Sequence, residues 1–176
     1  MNQARLIIDL DAIQANIHQL AREAGGAELM AVVKANAYGH GAVPVARAAI
    51  QAGATYLGVA QLCEALRVAT ELGADRAGAR IVAWLYGPGA NFAHGIGQGI
   101  ELGVSSVGAL EAVAAAARDC GETAVVHLKL DTGLGRAGAP AARWEELVRR
   151  ALALRAEGVV TPRGAWSHFA YADDPG

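Results

Sequence analysis

The fold of this 176-residue chain is decided by the stretch Leu29-Met30-Ala31-Val32-Val33-Lys34-Ala35-Asn36-Ala37-Tyr38-Gly39-His40-Gly41. Its first five residues form an apolar run of the length expected for a buried strand. Lys34 stands where that run ends, and a helical pattern begins at Val43. A lysine held at the end of a buried strand is partly desolvated, so its amine can give up its proton and form a Schiff base with a carbonyl. Spacing alone also fits a lysine whose ammonium group simply reaches solvent.

Predicted strands and helices alternate on both sides of this stretch. Strands are predicted at residues 5–10, 29–33, 55–60, 80–85, 100–104 and 123–130, and residues 159–168 hold a last strand and the start of its loop. Helices are predicted at 12–24, 43–51, 62–72, 91–98, 107–118 and 140–155. Short links between alternating strands and helices predict a parallel sheet with helical crossovers. A doubly wound open sheet and a (β/α)₈ barrel both fit this order. Counted from Leu29, the strands supply about six of the eight units of a barrel.

Four side chains that could react or bind a ligand lie at or just after the ends of the predicted strands. They are Lys34 after the first strand of the sheet, Trp84 at the end of the third, Arg136 in the loop after the fifth and His168 just past the sixth. The carboxyl ends of parallel barrel strands meet at one rim, which predicts a site built from loops there. Taken singly, such a tryptophan or histidine fits core packing, and the arginine fits a solvated surface position.

Three segments resemble motifs of the alanine racemase family. Residues 31–41 resemble its pyridoxal phosphate attachment motif, in which the lysine holds the cofactor as a Schiff base and the tyrosine four residues later binds its phosphate. Lys129-Leu130-Asp131-Thr132-Gly133-Leu134-Gly135-Arg136 resembles the loop whose arginine donates to the cofactor's phenolic oxygen and approaches the substrate carboxylate. Ser167-His168-Phe169-Ala170-Tyr171-Ala172-Asp173 resembles the segment whose histidine packs against the pyridine ring.

The resemblance implies a role for individual residues. It assigns Lys34 to catalysis and cofactor attachment, and Tyr38, Arg136 and His168 to cofactor binding, with Arg136 also on the substrate. Trp84 resembles an aromatic residue found at the site of some members, although core packing explains it equally well. Lys129 matches a lysine that is carboxylated in some members, and an unmodified strand lysine remains the alternative.

The resemblance also implies a fold, an activity and partners. Residues 1–176 would be the N-terminal part of a pyridoxal-phosphate-binding (β/α)₈ barrel, incomplete at about six units, with a C-terminal β domain absent from this chain. The enzyme would interconvert L-alanine and D-alanine for cell-wall peptidoglycan as a homodimer. In the family, a tyrosine of the partner subunit and a second arginine late in the barrel complete the site, and neither has a match here. The chain alone is therefore expected to be incomplete for catalysis.

Two other functions are known on the same barrel and stay open as alternatives. One is a racemase of broader amino-acid specificity on the same barrel. The other is a non-catalytic pyridoxal phosphate carrier, a class whose lysine motif lacks the sequence Asn-Ala-Tyr-Gly-His-Gly seen at residues 36–41. Racemisation of alanine by the purified protein would distinguish an alanine racemase from the non-catalytic carrier.

Composition narrows the class of protein further. The chain is 53% hydrophobic and 18% charged, which is typical of a globular domain and not of a disordered one. A formal net charge of -2 gives no electrostatic reason to expect nucleic acid or membrane binding. We find no basic-apolar leader pattern and no apolar run long enough for a membrane span, so a cytoplasmic protein is expected. Cys63 and Cys120 have no metal-ligand spacing, and no metal is expected.

Overall fold

The computed structural model describes residues 4–87 and 89–170, in which strands and helices alternate. The strands are β1 (Met30–Val32), β2 (Tyr56–Gln61), β3 (Arg80–Leu85), β4 (Ile100–Val104), β5 (Ala124–Lys129) and β6 (Val160–Trp166). The helices are α1 (Leu10–Glu23), α2 (Lys34–Tyr38), α3 (Ala42–Gln51), α4 (Leu62–Leu72), α5 (Phe92–Gly97), α6 (Val107–Cys120) and α7 (Ala141–Ala156), with a 3₁₀ turn at Gly73–Arg76. The six strands predicted from Leu29 onward are confirmed.

The strands form one sheet in the order β1-β2-β3-β4-β5-β6, which is also their order in the chain. The pairs β1–β2, β4–β5 and β5–β6 are parallel, and a register shift interrupts the last pair between Val126 and His127. A doubly wound sheet reverses its strand order at a switch point, whereas this order runs in one direction. Of the two architectures that the sequence allowed, the observed order is that of the (β/α)₈ barrel.

The chain divides into two compact units, Met1–Val82 and Ala83–Gly176. In the first unit, α4 packs on β2 and α1 packs on α3. In the second unit, α6 packs on β5 and α7 packs on β6. In each unit the helices cover apolar residues of the strands, which fall at strand spacing. The first strand differs from the buried strand that the sequence predicted: Met30 and Val32 of β1 are 39% and 42% exposed, because β1 lies at the edge of the sheet and fewer side chains cover it. The largest fully buried side chains include Leu57, Val59 and Val68 in the first unit and Leu102, Leu110, Val113, Leu147 and Leu154 in the second.

The strand predicted at residues 5–10 is wrong. Residues 4–9 have no regular secondary structure, and the side chains of Leu6 and Ile7 are 82% and 73% exposed. Asp9 accepts a hydrogen bond from the N–H of Ala12 at 3.0 Å, and this cap commits Leu10 to the first turn of α1. A short apolar run becomes a strand when a neighbouring strand pairs with it, and no described strand lies against this one.

Among residues 4–87 and 89–170, no helix combines the length and apolar character needed to cross a bilayer.

Candidate functional site

The turn that follows β1 is left-handed. Ala35, Asn36, Ala37 and Tyr38 have φ of 50°, 56°, 53° and 54°, and the first three have ψ of 45–47°. An L-residue in this region costs roughly 1–2 kcal/mol because its Cβ approaches the following carbonyl oxygen. Four such residues in succession persist only where the surrounding structure holds them, and conformations of this kind cluster at functional sites.

Hydrogen bonds at both ends hold this left-handed turn, α2. The N–H of Ala37 donates to the carbonyl of Val33 at 2.9 Å, and the N–H of Gly41 donates to the carbonyl of Asn36 at 2.9 Å. The Asn36 side chain accepts from the N–H of Ala42 at 2.9 Å, at the start of α3. The glycines that follow the turn have φ of 91° and 95°, values that favour glycine over other residues. The motif glycines are therefore required by the backbone.

We expect the strain in this turn to be measurable by glycine substitution. Ala35→Gly relieves a left-handed alanine and should raise the free energy of unfolding by about 1 kcal/mol. Ala115→Gly, at an exposed position inside α6, should lower it by about 1 kcal/mol because glycine is a poor helix former. Urea unfolding of both variants measures the two shifts. Shifts of the same sign would show that Ala35 is not strained.

The chain contains two lysines, and they lie in different environments. Lys34 opens the left-handed turn, is partly exposed, and places its Nζ 5.7 Å from the ring centroid of Tyr38. The Tyr38 side chain is 62% exposed. Lys129, in contrast, is 4% exposed at the end of β5. Of the two amines, that of Lys34 is the one open to a carbonyl compound from solvent.

In the second unit, three side chains form an aromatic and cationic cluster. Lys129 pairs in register with Trp166 on the neighbouring strand, and its Nζ lies 4.8 Å from the tryptophan ring centroid. Trp84 contacts the same ring edge to face, with 5.6 Å between the centroids. The Trp166 Nε1 is buried and has no hydrogen-bond partner among the described residues. An unpaired buried N–H is costly, so it is a donor ready for a bound acceptor.

A buried carboxylate on β4, that of Glu101, contacts side chains of the two following strands. The Nε2 of His127 is 2.6 Å from a carboxylate oxygen of Glu101, and the Nε of Arg163 lies 3.4 Å from the other oxygen. Glu101 is buried, and Gly103, two residues later, leaves room for Trp84, whose Cβ would lie 2.8 Å from a Cβ at that position. The glycine thus permits the close approach of the tryptophan.

The loop that carries Arg136 is closed at its base and ordered inside. The N–H of Ala139 donates to the carbonyl of Lys129 at 2.7 Å, and the N–H of Asp131 donates to the carbonyl of Ala139 at 2.9 Å. The Asp131 carboxylate accepts from the N–H groups of Gly133 and Gly135 at 3.0 and 3.1 Å. These hydrogen bonds, that from Gly133 first, lower the pKa of Asp131, so the carboxylate that orders the loop is ionised at neutral pH.

Each predicted site residue can be located within the unit to which it belongs. Lys34 and Tyr38 lie together on the left-handed turn, and Trp84 is joined to Lys129 through Trp166. Arg136 is exposed in the loop after β5, and His168 is exposed two residues after β6. The end of the third motif, residues 171–173, lies outside the described residues.

The sequence interpretation missed two residues that the structure places beside the predicted ones. Trp166 was not named, although its spacing of two residues from His168 puts it on the last strand. Glu64 was not named either, although it stands three residues after Gln61 in the pattern of a helix capping box. Among residues 4–87 and 89–170, no three His, Cys, Asp or Glu side chains are grouped so that they could hold a metal ion.

Comparison with known protein sequences identifies one family. The family described as alanine racemase, N-terminal domain, matches residues 8–176. The alanine racemase of Frankia casuarinae is 52% identical over 170 residues, which are 97% of this chain and 43% of that protein. The chain therefore spans less than half the length of this relative.

Solved structures agree with the sequence comparison. The alanine racemase of D-cycloserine-producing Streptomyces lavendulae superimposes with a TM-score of 0.89 at 52% identity, covering 96% of this chain and 43% of that one. The alanine racemase of Bartonella henselae, solved with covalently bound pyridoxal phosphate, has a TM-score of 0.81 at 28% identity and covers 95% and 45%. With its strand order, its motifs and these matches, the chain belongs to the alanine racemase N-terminal domain family.

Proposed function

We propose that this chain is the cofactor-binding part of an alanine racemase that interconverts L-alanine and D-alanine. The observation that carries the proposal is Lys34, a partly exposed amine at the carboxyl end of β1 on a strained turn, in a chain whose other lysine is buried. The covalently bound cofactor of the Bartonella henselae enzyme supports an attached pyridoxal phosphate. The supply of D-alanine to cell-wall peptidoglycan is the role proposed for the product.

The donors of this chain fit pyridoxal phosphate, which is an anionic aldehyde. Lys34 provides a primary amine that can bond to the aldehyde carbon, and Tyr38 provides an exposed phenol that can donate to a phosphate oxygen. Arg136 provides a fork of donors suited to the phenolic oxygen or to a substrate carboxylate. The family resemblance assigns the rings of Trp84 and His168 to the flat pyridine face. When bound, the cofactor supplies an electron sink for negative charge on the substrate Cα.

Proton transfer and substrate orientation are the proposed roles of protein groups. Lys34 holds or delivers the proton on one face of the alanine Cα, and Arg136 orients the substrate through its carboxylate. Exchange between the two enantiomers needs a second acid on the opposite face. We propose that a partner subunit supplies it, as the family resemblance implies, so that the active protein is a homodimer. Carboxylation of Lys129 stays a prediction, and the unpaired Trp166 Nε1 is a donor that a carboxylated lysine could use.

Reductive trapping tests the attachment site. We expect pyridoxal phosphate and borohydride to leave a stable secondary amine on Lys34, because Lys34 is accessible and Lys129 is buried. Peptide mass spectrometry locates the modified lysine, and Lys34→Arg provides the unlabelled control. A label on Lys129, or no label on folded protein, contradicts the assignment. A label on Lys34 without conversion of L-alanine to D-alanine by the full-length protein would favour the carrier instead.

A further inference from the structure

The carboxylate of Glu64 joins two parts of the first unit. Its Oε1 accepts a hydrogen bond from the N–H of Ala35 at 2.7 Å. Its Oε2 accepts from the N–H of Gln61 at 2.9 Å and from that of Ala60 at 3.1 Å. The second set caps the N-terminus of α4, which is an ordinary role for a glutamate at this helix position. The bond to Ala35 is additional, because a helix cap does not require it.

The N–H of Ala35 belongs to the peptide group that follows Lys34. The orientation of this group is set by the ψ of Lys34 and by the φ of Ala35, which is 50°. Ala35 is also the first of the four left-handed residues of α2. A hydrogen bond to a carboxylate is roughly twice as strong as one between neutral groups. Glu64 therefore acts on the peptide group where the strained conformation begins.

The other hydrogen bonds of the turn are local. Those that link Val33 to Ala37 and Asn36 to Gly41 and Ala42 close over four to six residues. Glu64 instead lies 29 positions beyond Ala35, at the junction of β2 and α4. The local bonds can define the shape of the turn. The N–H of Val33, just before the turn, donates to the carbonyl of Gly58 on β2 at 2.8 Å, and the bond to Glu64 adds a link from inside the turn to the start of α4.

We propose that Glu64 is a positioning residue for Lys34. By holding the Lys34–Ala35 peptide group, its carboxylate maintains the left-handed turn and aims the Lys34 amine at the carbonyl carbon of the cofactor. The inference rests on the proposed function, since it concerns the amine assigned there to cofactor attachment. Its geometry is independent of that function, because the bond from Ala35 to Glu64 is present in the chain alone.

Two substitutions separate this role from the helix cap. Glu64→Gln retains one carbonyl oxygen, which we expect to keep the two bonds to Ala60 and Gln61, so that the amide NH₂ then faces the N–H of Ala35. Glu64→Asp keeps the charge and can still cap the helix, but it is one methylene shorter and does not reach Ala35. The two variants differ in the charge at position 64, and both lose the hydrogen bond from the Ala35 N–H. Glu71→Gln, at an exposed position in the last turn of α4, is the matched control.

The readouts are the rate of trapping and the protection of one amide. With pyridoxal phosphate and cyanoborohydride, we expect the maximal rate of Lys34 labelling to fall about tenfold in both Glu64 variants, because misplacing a reacting group by a fraction of an ångström is costly. The cofactor concentration for half-maximal labelling should change less than about twofold, since no donor to the cofactor is removed. Hydrogen exchange followed by NMR should show faster exchange at Ala35 and unchanged exchange at Gln61.

The outcomes distinguish the two proposals. Absence of Lys34 labelling in the unaltered protein would reject the proposed function, while the Ala35 exchange still reports on the hydrogen bond. Labelling of the Glu64 variants at the unaltered rate would reject the positioning role, and so would an equal loss in Glu71→Gln. Circular dichroism checks the fold of each variant. Unfolding of both Glu64 variants would mean that Glu64 stabilises the unit as a whole, which would also overturn the proposal.

Discussion

Replacing Lys34 by arginine should lower kcat for alanine racemisation by about 10³-fold or more in the full-length protein that carries this sequence. Arginine keeps the positive charge and most of the length, but its guanidinium stays protonated and does not bond to an aldehyde as a free amine does. The proposed residue for both cofactor attachment and proton transfer would be lost together. The rate of D-alanine formation from L-alanine, measured with a D-amino-acid oxidase, gives the effect.

The reverse exchange elsewhere in the first unit provides the control. Arg67→Lys changes an exposed position of α4 and should leave kcat within about twofold, because surface substitutions away from a site have small effects. Added methylamine should partly restore turnover in Lys34→Ala, whose shortened side chain leaves room for an external amine. Near-normal turnover in Lys34→Arg without added amine would remove Lys34 from the mechanism.

The second large effect is expected at Gly138, beside the base of the Arg136 loop. A Cβ there would lie 2.6 Å from the backbone N of Asp131 and 2.8 Å from the carbonyl carbon of Leu130, and its φ is 137°. Backbone atoms cannot move aside as the end of a flexible side chain can. We expect Gly138→Ala to lower the free energy of unfolding by about 3 kcal/mol, the upper part of the usual range for overpacking.

Two measurements check the effect of Gly138→Ala. Urea unfolding gives the change in stability, and limited trypsin digestion should cut faster after Arg136 because the loop base has opened. Gly108→Ala is the matched control: a Cβ at Gly108, in the first turn of α6, meets no atom within 4 Å. It should raise stability by roughly 0.5 kcal/mol, the gain expected from a better helix former. Unchanged stability in Gly138→Ala would mean that the loop base moves without cost.

The arrangement of strands was predictable because the sequence marks it locally. Helices α3, α4 and α6 end beside Gly53, Gly73 and Gly121, and strands β1 to β5 fall within about two residues of their predicted bounds. The strand predicted at residues 5–10 was wrong because pairing depends on a neighbour that a local pattern does not reveal. The same pattern holds an aspartate at position 9, and the cap it provides favours helix over strand.

The motifs assign residues to the candidate site, and the roles of Lys34, Tyr38 and Arg136 stay predictions. The left-handed turn was not predicted, because two alanines and a tyrosine disfavour positive φ and an asparagine adopts it mainly as a single residue. The link from Ala35 to Glu64 was missed for a different reason. A capping box accounts for Glu64 on its own helix, and its second partner is brought close by the pairing of β1 with β2.

The order of the strands also bears on how the molecule is made. Because sheet order and chain order coincide, each strand pairs with the strand that the ribosome produced one βα unit earlier. Every pairing among the six described strands therefore closes a loop of similar, moderate length. Growth can proceed by accretion from the N-terminus, with each strand serving as the template for the next. The left-handed turn and Glu64 belong to the first two βα repeats of the sheet. The lysine segment can therefore take its shape while later strands are still being translated.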